Sequence, residues 1–234
     1  MNEAIWFLML TFCTSFILIS YRIFGKYGLY AWVVMSVVLA NIQVMKLVTL
    51  FGMTATLGNI LYGTSFLATD ILSENYGKRE ATLAVHLGFF TLFMMVVVMQ
   101  MALLFVPNPN DLAHDALKGI FGLTPKVAGA SFCAYALAQY HDVWLFHLLK
   151  KLTGDKYLWF RNNVSTMISQ AIDTAIFAVV AFYGVYPAKV LLSIILSTYV
   201  IKWIVALSDT WCIYLAKRWF CQGKVGGEAK YVTD

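Results

Sequence analysis

Four aspartates lie inside long apolar segments of this 234-residue sequence, at Asp70, Asp142, Asp173 and Asp209. An aspartate at the centre of an apolar helix in a bilayer costs about 2.5–3.5 kcal/mol on insertion scales. Carboxylates in such positions therefore tend to face a bundle interior or a water-filled cavity, and they tend to be functional. The chemistry that they offer is the binding of N–H donors, cations or protons away from bulk water.

The depth of these carboxylates follows from their distance to a basic residue along the chain. Asp70, Asp142 and Asp209 each precede a lysine by eight positions, which is about 12 Å along a helix. Asp173 follows Arg161 by twelve positions, or about 18 Å. We therefore expect all four carboxylates to form one layer between the middle of the helices and their basic ends.

Polar residues also share one helical face around residue 166. Spacings of four, three and four positions place these residues on one stripe: Asn162, Thr166, Ser169 and Asp173. Gln170 lies beside the stripe, and Gln139 precedes Asp142 by three positions, so those two share a face as well. A stripe that ends in an aspartate favours a lined cavity over a simple contact between helices.

One lysine and two aromatic residues lie near these polar positions in the sequence. Lys202 precedes Asp209 by seven positions, so both lie on roughly the same helix face. It could form a structural ion pair with an acid of another helix, or it could line a transport path. Phe66 and Tyr135 could stack a flat ligand, and ordinary packing is the alternative for each.

The segments that carry these residues are long and apolar enough to cross a bilayer. Hydrophobic residues make up 61% of the chain and charged residues 12%, which is about half the charged share of a soluble domain. We therefore predict an all-α polytopic membrane protein with about seven transmembrane helices. The predicted spans are residues 3–21, 28–48, 54–73, 81–106, 126–149, 160–183 and 188–217.

Basic residues predict how the chain crosses the membrane. If the N-terminus lies outside, twelve lysines and arginines fall in the inside loops and tail, and four fall in the outside loops. Because basic residues accumulate on the cytoplasmic side of a membrane, we predict an N-out/C-in orientation. The long loop between the fourth and fifth spans contains an amphipathic stretch that is expected to lie along the membrane surface.

The last six spans could form two inverted repeats of three helices. Spans two to four and five to seven have opposite predicted orientations, and the middle span of each triplet carries an asparagine and an aspartate eleven positions apart. These pairs are Asn59 with Asp70 and Asn162 with Asp173. Inverted repeats are a common plan of transporters, and chance coincidence is the alternative.

The sequence lacks the motifs of several functional classes. No Walker A loop, H-E-x-x-H motif or nucleophile elbow is present, so an enzyme is not expected. The four cysteines have no C-x-x-C spacing, and we predict no metal site and no cofactor. The net charge of +5 comes mainly from loops, as membrane orientation requires, and does not indicate nucleic-acid binding.

Four sequence motifs resemble those of the queuosine precursor transporter family. They are FLATDILSENYG at 66–77, AYALAQYHDVWLF at 134–146, RNNVSTMISQAIDTAIF at 161–177 and YVIKWIVALSDT at 199–210. The resemblance covers about residues 28–217, and some members of the family look like six-helix proteins without a counterpart of the first span. It therefore implies an extra N-terminal helix in residues 1–26, a six-helix transporter core in 27–217 and a cytoplasmic tail in 218–234.

The resemblance implies uptake of 7-deazaguanine bases or queuine, the precursors of a modified tRNA nucleoside, across a bacterial inner membrane. A carboxylate can accept hydrogen bonds from the ring N–H and the amino group of such a base. Amide side chains can donate hydrogen bonds to its carbonyl group, and aromatic side chains can stack on its ring. The implied substrate-binding residues are Asp70, Gln139, Asp142, Asn162, Asn163, Gln170, Asp173, Phe66 and Tyr135. Lys202, Asp209 and Glu74 are expected in the transport path or in an ion pair, with Glu74 at the inner gate or helix end.

Two mechanisms are compatible with this interpretation. The first is a secondary transporter that works by alternating access around a site near the membrane midplane. The alternative is a substrate-binding membrane subunit of a vitamin-type uptake complex that needs a separate ATPase. A homodimer, with oligomerisation as one role of the first helix, fits either mechanism.

Overall fold

The computed structural model describes residues 1–43, 46–122, 125–154, 156–182 and 188–226. Within these ranges the chain forms seven long helices, one short helix and one β-hairpin. In chain order the elements are α1 (Asn2–Phe24), α2 (Lys26–Gln43), β1 (Leu47–Leu50), β2 (Met53–Thr56), α3 (Asn59–Asn75), α4 (Lys78–Leu103), α5 (His114–Phe121), α6 (Pro125–Thr153), α7 (Leu158–Phe182) and α8 (Ala188–Cys221).

The chain is a helical protein with four helical stretches that are long and apolar enough to cross a membrane. These stretches are α1, α4, Leu158–Ala181 of α7 and Thr198–Cys221 of α8. In the described part of the chain, α2, α3 and α6 do not reach the same combination of length and hydropathy. The count of seven spans and the N-out/C-in orientation therefore stay predictions.

The connection between α2 and α3 differs from the prediction. The second span was expected to reach residue 48, but α2 ends at Gln43 and a β-hairpin follows. Leu50 pairs with Met53 across a two-residue turn in which Phe51 and Gly52 have φ angles of 51° and 75°. Two positive φ angles are typical of the tightest hairpin turns. The prediction placed Phe51 and Gly52 in a short connection between two spans and assigned the flanking strand residues to the ends of helices.

Helix α3 forms the centre of the bundle and packs against α1, α2, α4, α6 and α8. Residues 59–61 and 63–74 are buried, whether apolar or polar. Gly63 permits the close approach of α8, because a Cβ atom there would lie 2.5 Å from the Cγ1 atom of Val205. Gly77 follows the helix with a φ of 89°, a conformation that glycine adopts at low cost, and the chain then turns into α4.

Helix α1 is part of the same bundle and packs against α2, α3 and α8. Its apolar side chains turned towards the bundle include Trp6, Leu10, Cys13, Ile17 and Tyr21. The end of α1 also meets the end of α8, where the guanidinium of Arg22 lies 5.3 Å from the ring centre of Trp219. The division into residues 1–26, 27–217 and 218–234 stays a prediction, and residues 227–234 lie outside the described residues.

Candidate functional site

A column of mostly polar side chains runs along one face of α3. Its residues follow a spacing of four positions: Tyr62, Phe66, Asp70 and Glu74. The twelve positions between the first and the last cover about 18 Å of helix. Side chains of α6, α7 and α8 meet this face at successive heights, called below the Glu74 level, the Asp70 level and the Tyr62 level.

At the Glu74 level one buried carboxylate faces three cations from three other helices. The Glu74 carboxylate lies 3.2 Å from Lys150 Nζ of α6, 2.5 Å from Arg161 Nη2 of α7 and 2.6 Å from Lys217 Nζ of α8. Its side chain is 1% exposed, whereas those of Lys150 and Lys217 are 28% and 30% exposed. This cluster ties together one end of all four helices.

Arg161 is the largest fully buried side chain among the described residues. Its Nη1 donates hydrogen bonds to the carbonyl oxygens of Gly154 (3.1 Å) and Lys156 (3.0 Å), and its guanidinium lies 5.7 Å from the ring centre of Phe146. The sequence analysis counted Arg161 only as a basic residue of an inside loop. The available sequence signal was that Arg161 is the first residue of the polar motif of α7.

At the Asp70 level two carboxyl groups face each other. Thr166 of α7 donates a hydrogen bond of 2.9 Å to Oδ2 of Asp70, and Oδ1 has no hydrogen-bond partner in the described chain. Asp142 of α6 is fully buried and interacts with Asp70, with Ser165 and Ser169 beside it. Neither oxygen of Asp142 makes a well-formed hydrogen bond to a described residue. Asp70, Ser165 and Ser169 are its weak hydrogen-bond partners, so a ligand would compete only with these contacts.

Asp209 lies on the α1 side of the same level. It is buried, interacts with Asp70, and lies close to Cys13 of α1 and to Cys212. None of the described cations forms an ion pair with Asp70, Asp142 or Asp209. This level therefore concentrates three carboxyl groups without a compensating charge of their own.

Asp173 lies apart from the other three aspartates, so the expected single layer of four is wrong. Asp173 of α7 forms a buried ion pair with Lys202 of α8. The Lys202 ammonium lies 5.9 Å from the ring centre of Tyr62, eight positions or about 12 Å along α3 from Asp70. The reason is that α3 and α7 run in opposite directions and Arg161 lies beside Glu74. Asp173, twelve positions after Arg161, therefore lies at the height of Tyr62, twelve positions before Glu74.

The side chain of Gln139 is buried between the Asp70 and Tyr62 levels and bonds across to α3. Its Nε2 donates to Ser65 Oγ (3.3 Å), and its Oε1 accepts a hydrogen bond from Thr69 Oγ1 (3.4 Å). The sequence analysis did not select Ser65 or Thr69, since small hydroxyl residues inside a membrane helix usually bond only to their own backbone.

The predicted aromatic residues are both buried. Tyr135 packs among apolar side chains of α2 and α4, and its hydroxyl lies close to Gly88, where a Cβ atom would be only 2.3 Å from it. Phe66 is 1% exposed and shares the α3 face with Asp70. Phe66 is therefore adjacent to the carboxyl pair along the column, whereas the ring of Tyr135 packs on the α4 side of the bundle and its hydroxyl interacts with Ser65 of α3.

The three predicted amides of α7 differ in how far they are already bonded. Asn163 exchanges hydrogen bonds of 2.8 and 3.1 Å with Thr210 of α8 and also donates to the carbonyl oxygen of Trp159. Oδ1 of Asn162 and both polar atoms of Gln170 are buried without a hydrogen-bond partner in the described residues. Asn163 thus joins two helices, while Asn162 and Gln170 have unused hydrogen-bonding groups.

The chemistry of the buried polar groups indicates which kind of ligand the site suits. The described residues contain no group of three or more histidine, cysteine, aspartate or glutamate side chains that could hold a metal ion. The unpartnered acceptors of this site suit an organic ligand with N–H donors and a positive charge. Buried acceptors without partners would bind the donors, and the uncompensated carboxyls of the Asp70 level would attract the charge.

Apolar helices of membrane-spanning length around an internal polar column are typical of a membrane protein that handles a solute inside the bilayer. The family model described as "Putative vitamin uptake transporter" matches residues 56–216. A Bacillus subtilis protein named "Probable queuosine precursor transporter" is 46% identical over 218 residues, which are 93% of this chain and 95% of the relative. The chain belongs to this family of membrane transporters, which confirms the family resemblance found in the sequence.

More distant relatives carry similar names. A Haemophilus influenzae protein named "Probable queuosine precursor transporter" is 26% identical over 133 residues, which are 57% of this chain and 54% of the relative. An Escherichia coli protein named "Queuosine precursor transporter" is 26% identical over 144 residues, which are 62% of each chain. No solved structure matches the chain. These relatives support a role as a membrane transporter.

Proposed function

We propose that this protein is a secondary transporter that takes up queuosine precursors, as 7-deazaguanine bases or queuine, across the inner membrane of a bacterial cell. The observation that carries the proposal is the Asp142 carboxyl, which is fully buried with both oxygens free of well-formed hydrogen bonds. The names of the relatives supply the class of substrate.

Asp142 suits the edge of a guanine-like ring. That edge presents a ring N–H and an amino group side by side, and a carboxylate with two free oxygens can accept both hydrogen bonds. Gln170 and Asn162, with unused polar atoms, are proposed to bind the ring carbonyl and remaining donors. Phe66 is proposed to stack against the ring.

The other predicted binding residues are proposed to act when the helices move. Gln139 is bonded to α3 and Asn163 to α8, while Asp173 is paired with Lys202. These groups reach a ligand only after their present contacts open. The aromatic ring of Tyr135 is proposed to support the wall of the site from the α4 side rather than to stack a base.

The ion pairs at the two ends of the column are proposed to be gates. The Glu74 cluster would close the cytoplasmic end, and the Asp173–Lys202 pair would close the opposite end. Alternating access requires that one opens while the other stays closed. The contacts of Asp70 with Thr166 and of Glu74 with Arg161 support an antiparallel pairing of α3 and α7, as the central helices of inverted repeats require.

The membrane topology belongs to the same proposal. Seven helices would cross the membrane with the N-terminus outside, and α1 would be an addition to a six-helix core. The outward face of α1 carries apolar side chains, among them Leu8, Phe12 and Ile19, which fits either lipid or a second copy in a homodimer.

Uptake in living cells tests the proposal. The chain is expressed in bacteria that can neither make nor import queuosine precursors, and 7-deazaguanine bases are added to the medium. Queuosine should then appear in the tRNA, as measured by mass spectrometry of its nucleosides. Normal membrane insertion of the protein without any queuosine in tRNA, for every base supplied, would contradict the proposal.

A further inference from the structure

We propose that the site selects bases that carry a protonated amine over neutral bases with the same 7-deazaguanine ring. The inference rests on the proposed function and narrows its substrate class. A 7-aminomethyl base is such a cation near neutral pH, whereas a 7-cyano base is neutral and nearly equal in size.

The charges at the Asp70 level carry the inference. Asp70, Asp142 and Asp209 come from three helices and are at most 3% exposed. The ion pairs of the described residues leave all three without a cation of their own. Buried carboxylates need a partner charge, or they must remain protonated. A cationic ligand would supply that missing charge, and a neutral ligand would not.

The cations at the other two levels of the column already have carboxylate partners and do not neutralise the Asp70 level. Lys202 is paired with Asp173 at the Tyr62 level, and Arg161 is held by Glu74 and two backbone carbonyls. Lys150 and Lys217 bring further positive charge to Glu74, but their side chains are 28% and 30% exposed. Water screens their excess charge at the helix ends much more strongly than it screens the buried carboxyls.

The three carboxyls differ in their hydrogen bonds, and we assign them different roles in binding the ligand. Asp142, whose two oxygens make no well-formed hydrogen bond to a described residue, would exchange its weak contacts with Asp70, Ser165 and Ser169 for the two N–H donors of the ring edge. Asp70, with one oxygen bonded to Thr166, and Asp209, on the α1 side, would provide negative charge. Coulomb attraction in a region of low dielectric acts over several ångströms, so the amine needs no direct contact with Asp209.

Competition between two matched bases tests the inference on the wild-type protein. Cells or liposomes containing the protein take up a labelled 7-deazaguanine while unlabelled 7-aminomethyl or 7-cyano base is titrated in. The aminomethyl base should compete at least about tenfold better, because it alone brings a positive charge to the buried carboxyls of the Asp70 level. Equal competition, or better competition by the cyano base, would overturn the inference and leave the proposed function standing. The absence of uptake for either base would overturn both.

A variant that removes one distant charge sharpens the test. Asp209→Asn should bring the competition ratio of the two bases closer to one, mainly by weakening the aminomethyl base. Asp115→Asn in the exposed helix α5 is the matched control and should leave the ratio unchanged. An unchanged ratio in a correctly inserted Asp209→Asn protein would refute the role of this charge, and the wild-type comparison remains decisive if that variant does not insert.

Discussion

Asp142 presents two buried oxygens without well-formed hydrogen bonds in the described chain, and Asp70 beside it presents one. Groups of this kind are costly in a membrane interior unless a ligand, water or proton satisfies them. Because acidic residues are rare within apolar segments, these positions could be identified from the sequence. The buried ion pair between Arg161 and Glu74 could not be identified in this way, because a basic residue near a helix end is usually a marker of membrane orientation.

Substitution of Asp142 tests its role in binding the substrate. Asp142→Asn replaces one acceptor oxygen with a donor and removes the charge, so two hydrogen bonds to the ring edge cannot both form. We expect uptake to fall by at least about 30-fold, as follows from a loss of about 2 kcal/mol or more when a buried polar group is mismatched. Labelled-base uptake per inserted protein is the measurement.

The exposed Asp115→Asn protein serves as the control for this experiment, because it undergoes the same chemical change outside the bundle. Its uptake should equal that of the wild type. Uptake by Asp142→Asn that stays within twofold of the control would remove Asp142 from the site.

At the scale of elements, the apolar runs of the sequence predict the positions of the seven long helices. They do not predict which helices pack against each other. The run lengths located each helix to within a few residues, except where the hairpin at Leu47–Thr56 replaced the predicted ends of two spans. A short apolar run does not distinguish a strand from a helix end. The separation of Asp173 from the other aspartates depends on how α3 and α7 pass each other, which no local pattern encodes.

The Glu74 cluster gives a prediction about how α3, α6, α7 and α8 hold together. Glu74→Gln leaves the buried Arg161 guanidinium without its anion, and breaking a buried pair in this way costs about 3–5 kcal/mol. We expect a clearly lower melting temperature for the detergent-purified protein, measured by the loss of monodisperse protein on heating.

Glu80→Gln is the matched control for this change. Glu80 of α4 pairs with Lys26 at 3.1 Å, and these side chains are 23% and 30% exposed. Glu80 also accepts a hydrogen bond from the Tyr30 hydroxyl, which the amide oxygen of glutamine can still accept. A solvent-accessible ion pair of this kind contributes about 0–1 kcal/mol, so the melting temperature should change little. Equal melting temperatures for the Glu74→Gln and Glu80→Gln proteins would show that the cluster does not hold the helix ends together.

At the scale of the whole molecule, the column along α3 has a buried ion pair at each end and unused acceptors between them. An arrangement of this kind would hold a solute out of contact with either side of the membrane, as an occluded state of a transporter does. The sequence could predict a transporter from its motifs and its buried acids. The sequence could not predict which acids are neutralised by a partner, since that depends on contacts between helices far apart in the chain.

Reconstitution of the purified chain tests the central claim most directly. The protein is placed alone in sealed liposomes without ATP, and labelled 7-aminomethyl-7-deazaguanine is added outside. A secondary transporter should fill the liposomes until the inside concentration at least equals that outside, while liposomes with the Asp142→Asn protein stay empty. Binding of the base to the wild-type protein with no accumulation inside would contradict the claim and indicate a binding subunit that needs a separate ATPase.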